Sequence, residues 1–163
     1  MDSKFTISMP SKVGNLVLEI NQGKLVSLSI VAVSVIDETV KLRNIKNNAF
    51  AKKVQLQLEN YFSSAKPFSF VDLLPEGTAF QKSVWSELCK IPLGEVRSYG
   101  EIAKKLDSSA RAVGNACRKN PIAIIVPCHR VVSANGIGGY AGKTEGKQLN
   151  IKRWLLNHEG VNV

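Results

Sequence analysis

The sequence predicts an α+β protein in two parts: a small N-terminal domain of antiparallel sheet and helix over residues 1–77, and a mostly helical domain over residues 78–163. Three observations carry this. Apolar residues recur at every second position over 16–20 and again over 26–30, they recur every three or four residues after Thr78, and Asp72 to Gly77 between the two reads as a linker built on Pro75 and Gly77.

In the first part, a strand from Lys4 to Ser8 precedes a hairpin in which Leu16, Leu18 and Ile20 form one face. Asn21-Gln22-Gly23-Lys24 supplies the turn, and Val26, Leu28 and Ile30 alternate with Ser27 and Ser29 on the return. Asp37 to Asn48 is polar and irregular. Phe50, Val54, Leu58 and Tyr61 then predict a helix over 49–64, which Lys66-Pro67 ends.

In the second part, Thr78 caps a helix carrying Phe80, Val84, Trp85 and Leu88, stopped by Pro92-Leu93-Gly94. Ser98-Tyr99-Gly100-Glu101 has capping-box form and opens a helix with Tyr99, Ile102, Ala103 and Leu106 on one face. After the turn Asp107-Ser108-Ser109, a further helix over 110–119 presents Ala110, Val113, Gly114 and Cys117 on one side. Arg111, Asn115, Arg118 and Lys119 lie on the other. Two short helices across a tight turn make a helix-turn-helix candidate whose basic face suits nucleic acid; two packed helices with a solvated basic side is the plainer alternative. A last helix over 145–158 carries Leu149, Trp154, Leu155 and Leu156, and Gly160 can close it.

Composition narrows the function. The chain has 163 residues, 44% hydrophobic and 21% charged, a globular makeup. No apolar run reaches the ~20 residues of a membrane helix, and the N-terminus has no secretory pattern, so a soluble, cytoplasmic protein is expected. Three cysteines outside any CxxC pattern and two histidines argue for reduced thiols and against a metal site. The net charge of +9 is uneven, +2 over residues 1–77 and +7 over residues 78–163, which points to a polyanion on the second part or else to a solvated basic surface.

Pro127-Cys128-His129-Arg130 is where chemistry is expected. It ends the apolar run Ile122 to Val126 and precedes a loop, Ser133 to Gly142, with four glycines in ten residues. Pro127 biases Val126 toward extended backbone, and basic neighbours favour the thiolate. A buried structural cysteine is the alternative. In extended chain His129 would point away from Cys128, so a bridging water or a turn is expected between them. The glycine loop lacks phosphate-binding spacing and fits a flat, uncharged group better. Glu159 sits at a helix C-terminus, where the dipole disfavours a carboxylate by ~0.3–1 kcal/mol; it requires either solvent or a cation such as His129.

Pro127-Cys128-His129-Arg130-Val131-Val132, the basic helix pair before it, the glycine-rich loop after it and Trp154-Leu155-Leu156-Asn157-His158-Glu159-Gly160 together closely resemble the O6-alkylguanine-DNA alkyltransferases. The resemblance spans about Thr78 to Gly160. It implies an N-terminal domain of ribonuclease H-like shape and a C-terminal domain with a winged helix-turn-helix. It implies irreversible, stoichiometric DNA repair in which an alkyl group on O6-alkylguanine, or on O4-alkylthymine, of double-stranded DNA moves to Cys128 after base flipping, with no cofactor, no metal, no membrane partner and a monomeric chain. His129 would act on Cys128 through a water, Glu159 would orient His129, Asn120 would brace the active-site turn, and Tyr99 would give a proton to the leaving guanine. Arg111 would fill the space of the flipped base, with Asn115, Arg118, Lys119 and Arg130 as further DNA contacts. Tyr99, Val131, Ile137, Gly138, Tyr140 and Ala141 would line the pocket. A helix-turn-helix regulator, a damage sensor that does not transfer, and a cysteine hydrolase are the other classes. A regulator needs no reactive thiol, such sensors replace the acceptor cysteine, and a hydrolase needs a directly paired histidine from elsewhere in the chain.

Overall fold

The computed structural model describes residues 4–32, 48–69 and 71–163, so the polar segment expected from Asp37 lies outside the described residues apart from Asn48. The chain divides into two compact units, Met1–Glu76 with Pro121–Ala123, and Gly77–Asn120 with Ile124–Val163.

In the first unit, β1 (Phe5–Ser11), β2 (Gly14–Asn21) and β3 (Lys24–Val31) form an antiparallel sheet in that order. Leu16, Leu18 and Ile20 of β2 have no exposed surface, as their alternation requires. The β2–β3 turn puts Gln22 and Gly23 at φ 50° and 70°, the left-handed pair that matches strand twist in a two-residue hairpin. The alternation expected along β3 is overturned at its start. Glu19 pairs with Ser27 but Ile20 pairs with Leu25, so Val26 is the extra residue of a bulge, and Leu25 with Leu28 enters the core in place of Val26 and Ile30.

Helix α1 (Ala49–Ser64) begins at Asn48, whose side chain accepts from the Ala51 amide at 2.9 Å, and buries Ala51, Val54, Leu58 and Tyr61; Phe50 is half-buried. Asp72 to Leu74, expected as linker, is tied down. The Leu25 amide donates to the Asp72 carbonyl and the Leu74 amide to the Leu25 carbonyl, each at 2.8 Å, so this stretch runs beside β3. On Leu28, the amide donates to the Pro121 carbonyl at 2.9 Å and the carbonyl accepts from the Ala123 amide at 3.0 Å, which is why those three later residues belong to this unit.

The second unit holds α2 (Ala79–Leu88), β4 (Arg97–Ser98), α3 (Tyr99–Lys105), α4 (Ala110–Arg118), β5 (Val131–Val132) and α5 (Lys147–His158). Both α2 and α3 open with complete capping boxes, Thr78 with Gln81 and Ser98 with Glu101. On α2 the buried face starts at Val84; Phe80, one turn earlier, stays 37% exposed and is not a core residue. Trp85 donates its indole N–H to the Ala116 carbonyl at 2.8 Å, fixing α2 against α4. On α4 the buried residues are Val113, Ala116 and Cys117, while Ala110 in the first turn is exposed. β4 and β5 pair in parallel, Arg97 with Val131 and Ser98 with Val132, so Tyr99 follows directly from a strand hydrogen-bonded to the one after the Cys128 turn.

Candidate active site

The apolar run before Cys128 is no strand. Residues 123–125 form a turn in which Ile124 takes φ 70°, a left-handed conformation that costs a β-branched residue about 1–3 kcal/mol; its side chain is fully buried there. Pro127, at φ −84° and ψ 64°, folds the chain back so that the Cys128 amide donates to the Val126 carbonyl at 2.9 Å. Asn120 Nδ2 donates to the same carbonyl at 2.8 Å. A 3₁₀ turn, Cys128–Arg130, follows, and it turns His129 and Arg130 into the protein.

His129 has no exposed surface, and its Nε2 lies 2.8 Å from Glu159 Oε1. Arg130 Nε donates to Glu159 Oε2 and its NH2 group to Oε1, both at 2.9 Å, while its NH1 group donates to the Ile91 carbonyl at 2.8 Å. The misplaced carboxylate at the end of α5 therefore has two cationic or potentially cationic partners. Burial pushes the Glu159 carboxyl up, but the hydrogen bonds and charges of His129 and Arg130 outweigh it and hold it at about 2. Burial lowers the His129 pKa below its ordinary value, against the pull of Glu159 and with help from the Arg130 charge. The imidazole is thus neutral at pH 7, with the Nε2 proton given to the carboxylate. Nδ1 remains enclosed with no protein partner among the described residues, which suits the water bridge expected toward Cys128.

Cys128 is 9% exposed, and burial raises its pKa. A hydrogen bond from Asn120, the charge of Lys152 and the backbone N–H groups of Cys128 and His129 work the other way and favour the thiolate. Lys152 was not foreseen from the sequence as a site residue. Its side chain has no exposed surface, and its ammonium donates to the Val131 carbonyl at 2.6 Å and the Gly139 carbonyl at 2.9 Å. The signal was spacing, since Lys152 lies three residues after Leu149 and three before Leu155 and so falls on the buried face of α5.

A cavity of about 240 Å³ opens beside Cys128, lined by it, Tyr99, Tyr140 and Ala141 together with Gly139 and residues of α4. Tyr99 Oη donates to the Gly139 carbonyl at 3.4 Å, and the Lys152 ammonium lies 5.8 Å from the centre of its ring. Gly138, at φ 74°, backs the same ring so closely that a Cβ would fall 3.1 Å from it. Burial, with Cys117 and Cys128 adding to it, pushes the Tyr99 phenol up to about 12, so it stays protonated at neutral pH.

The structure thus brings together Cys128, His129, Glu159, Tyr99 and Asn120. Of the remaining residues expected in the pocket, Tyr140 and Ala141 line the cavity, whereas Val131 is buried off the lining with its carbonyl bonded to Lys152, Gly138 stands behind Tyr99, and Ile137 is half-buried off the lining. Asn115 and Arg118 of α4 are exposed at the cavity's edge, and Arg111 and Lys119 are exposed on the same helix. Arg130 is a correction: 7% exposed, with its guanidinium taken up by Glu159 and Ile91, it has no group to offer DNA. Lining residues not anticipated are Gly114, Cys117, Gly139, Gly142, Lys143 and Thr144. Among the described residues no group of three or more His, Cys, Asp or Glu side chains could hold a metal ion, and no helix is long and apolar enough to cross a membrane.

Comparison with known proteins bears on this geometry directly. The family described as 6-O-methylguanine DNA methyltransferase, DNA binding domain, matches residues 79–161. A methylated-DNA–protein-cysteine methyltransferase from Methanosarcina mazei is 52% identical over 122 residues, 73% of this chain and 74% of that protein. This chain belongs to the methylated-DNA–protein-cysteine methyltransferase family. Its fold agrees: the crystal structure of the Mycobacterium tuberculosis O6-methylguanine methyltransferase superposes with a TM-score of 0.79 at 36% identity, covering 96% of this chain and 92% of that one. The same organism's protein in complex with DNA gives 0.78 at 39% identity, covering 95% and 92%. Cys128 borders the cavity with the charge of Lys152 near it and the buried imidazole–carboxylate pair next in its turn. Cys117 also borders the cavity, but burial and the neighbouring Cys128 push it up to about 12 and keep it a neutral thiol.

Proposed function

We propose that the chain repairs double-stranded DNA by moving an alkyl group from O6-alkylguanine, and from O4-alkylthymine, to its own Cys128. The observation that carries this reading is one cavity bordered by the Cys128 thiol, the Tyr99 phenol and exposed residues of a basic helix.

The alkyl carbon is part of a stacked base, so the nucleotide leaves the helix at a cost of a few kcal/mol, and Arg111, exposed at the start of α4, fills the space it leaves. Asn115, Arg118 and Lys119 hold the backbone in this reading, with α3 and α4 as the winged helix-turn-helix and the first unit as the ribonuclease H-like domain. In the pocket, the carbonyls of Cys128 and Val131 accept from the guanine amino group. The Cys128 proton passes through a water to His129 Nδ1, the thiolate attacks the alkyl carbon, the carbon–oxygen bond breaks, and guanine departs with the proton of Tyr99. The product is a thioether, a poor leaving group, and Cys117, the other cysteine bordering the cavity among the described residues, stays protonated. Each monomeric chain therefore acts once.

Incubation with duplex DNA bearing labelled O6-methylguanine tests this. Label should plateau at about one alkyl group per chain, all on Cys128, and Cys128→Ala should bind the DNA without transfer. Multiple turnovers would sink the single-use mechanism, and binding without any transfer would make the chain a damage sensor.

A further inference from the structure

The Arg130 fork is left without a task once DNA contact is excluded. It closes on the same carboxylate that holds His129: Oε1 of Glu159 takes both the imidazole Nε2 at 2.8 Å and the Arg130 NH2 group at 2.9 Å, and Oε2 takes Arg130 Nε at 2.9 Å. All three side chains are buried, His129 and Glu159 with no exposed side-chain surface and Arg130 with 9%. A planar guanidinium bonded at two points fixes the plane and rotation of a carboxylate, which a single imidazole bond does not.

We propose that Arg130 is a positioning residue, one that clamps Glu159 as an oriented anion so that His129 keeps its proton on Nε2 and presents Nδ1 as an unprotonated acceptor toward Cys128. The inference rests on the alkyl-transfer reading only for the identity of the proton donor. The alternative states follow from removing the clamp. With one buried imidazole left facing one buried carboxylate, the pair is best stabilised as imidazolium and carboxylate, and His129 gains a second proton. Nδ1 then carries hydrogen and accepts nothing. The charged and titratable groups around His129 are Glu159 at the end of α5, Arg130 in its own turn, Lys152 on α5 and Cys128 before it; Cys89, at the end of α2, faces Arg130. Lys152 and Arg130 are the positive members of this set, and of the two it is Arg130 that touches the carboxylate.

Two readouts test the assignment in the full chain. Nitrogen-15 NMR of the His129 ring follows its protonation without any substrate, and single-turnover transfer from methylated duplex DNA follows the reaction. In the wild type the ring should be neutral with hydrogen on Nε2 at neutral pH. In Arg130→Met its titration midpoint should rise by about one unit or more, and transfer should fall about tenfold near pH 6.5 and recover as pH rises. Arg130→Lys, keeping charge but not the fork, should fall between the two. An unchanged His129 titration, or a transfer deficit of equal size at every pH, would overturn the proposal and leave Arg130 as an anchor for the Ile91 carbonyl. Should Arg130→Met fail to fold, the double variant Arg130→Met with Glu159→Gln removes both charges together and should transfer within about twofold of Glu159→Gln alone. A further tenfold loss in the double variant would show that Arg130 does not act through Glu159. Absence of transfer in the wild type would count against the alkyl-transfer reading, while the His129 titration would still decide the role of Arg130.

Discussion

A lysine with no exposed side-chain surface and no carboxylate hydrogen-bonded to it among the described residues has to be stabilised by something, and Lys152 donates to two carbonyls and lies near the Cys128 thiol. Burial brings its pKa down to about 8, with Cys128 and Cys117 pulling the other way. Below that pH its charge favours the Cys128 thiolate. Lys152→Met should therefore raise the cysteine pKa and slow transfer about tenfold near pH 7, each unit being ~1.4 kcal/mol. The gap should close above pH 8, where the wild-type lysine also loses its charge; a gap constant with pH would assign Lys152 to holding Val131 and Gly139 in place. This residue and Arg130 mark the limit of what single residues disclose. Cys128 beside His129, and Glu159 against a helix dipole, were legible because each breaks a local rule. A lysine in a helix and an arginine after a histidine break none; spacing puts Lys152 on the buried side of α5, but the partners that hold the two side chains inside, Gly139 and Ile91, are distant in sequence.

Among the elements, helices were read most closely, because caps and periodicity are local: Thr78, Ser98 and Ser109 each cap where a helix starts, while Asn48, read only as the end of an irregular stretch, caps α1. What was not legible is backbone set by tertiary contact. The bulge at Val26, the strand-like pairing of Asp72 to Leu74 and the left-handed Ile124 have no composition signal, since Val and Ile otherwise favour regular strands. Helix α4 shows the same division: its exposed basic side followed from spacing, but its role in shaping the cavity through Gly114 and Cys117 did not. The position of Arg111 in the first turn of α4 gives a test at this scale. Arg111→Ala should slow repair in duplex DNA by at least tenfold and leave transfer from a free O6-alkylguanine base within about twofold, because only the duplex must give up a stacked nucleotide. Single-turnover rates on the two substrates would show it, and equal slowing on both would place Arg111 in the pocket or the fold instead.

For the molecule as a whole, the group of Glu159, His129 and Arg130 matters to stability as well as to chemistry, because it ties the end of α5 to the Cys128 turn and, through the Ile91 carbonyl, to the segment after α2. Its pH dependence has a definite sign. The Glu159 carboxyl sits at about 2 in the folded protein against an ordinary value of 4.5, so the unfolded chain binds more protons between those values. The stabilisation it gives is complete above about 4.5 and is lost as pH falls through about 2. The shift corresponds to on the order of 3 kcal/mol, a sizeable part of the ~5–15 kcal/mol that holds a domain together. His129 adds in the same direction, since its lowered pKa makes the folded state resist a proton that the unfolded chain accepts below about 6.5. Urea unfolding followed by circular dichroism should therefore show stability falling steadily from about pH 6 to pH 2. Glu159→Gln should be less stable than wild type at pH 7 and should converge on it toward pH 2, where about half of the wild-type carboxyl is protonated even in the folded state. Coincident curves would mean that the pair contributes no net stability, and parallel, offset curves would mean that Glu159 stabilises the fold by a route independent of its ionisation.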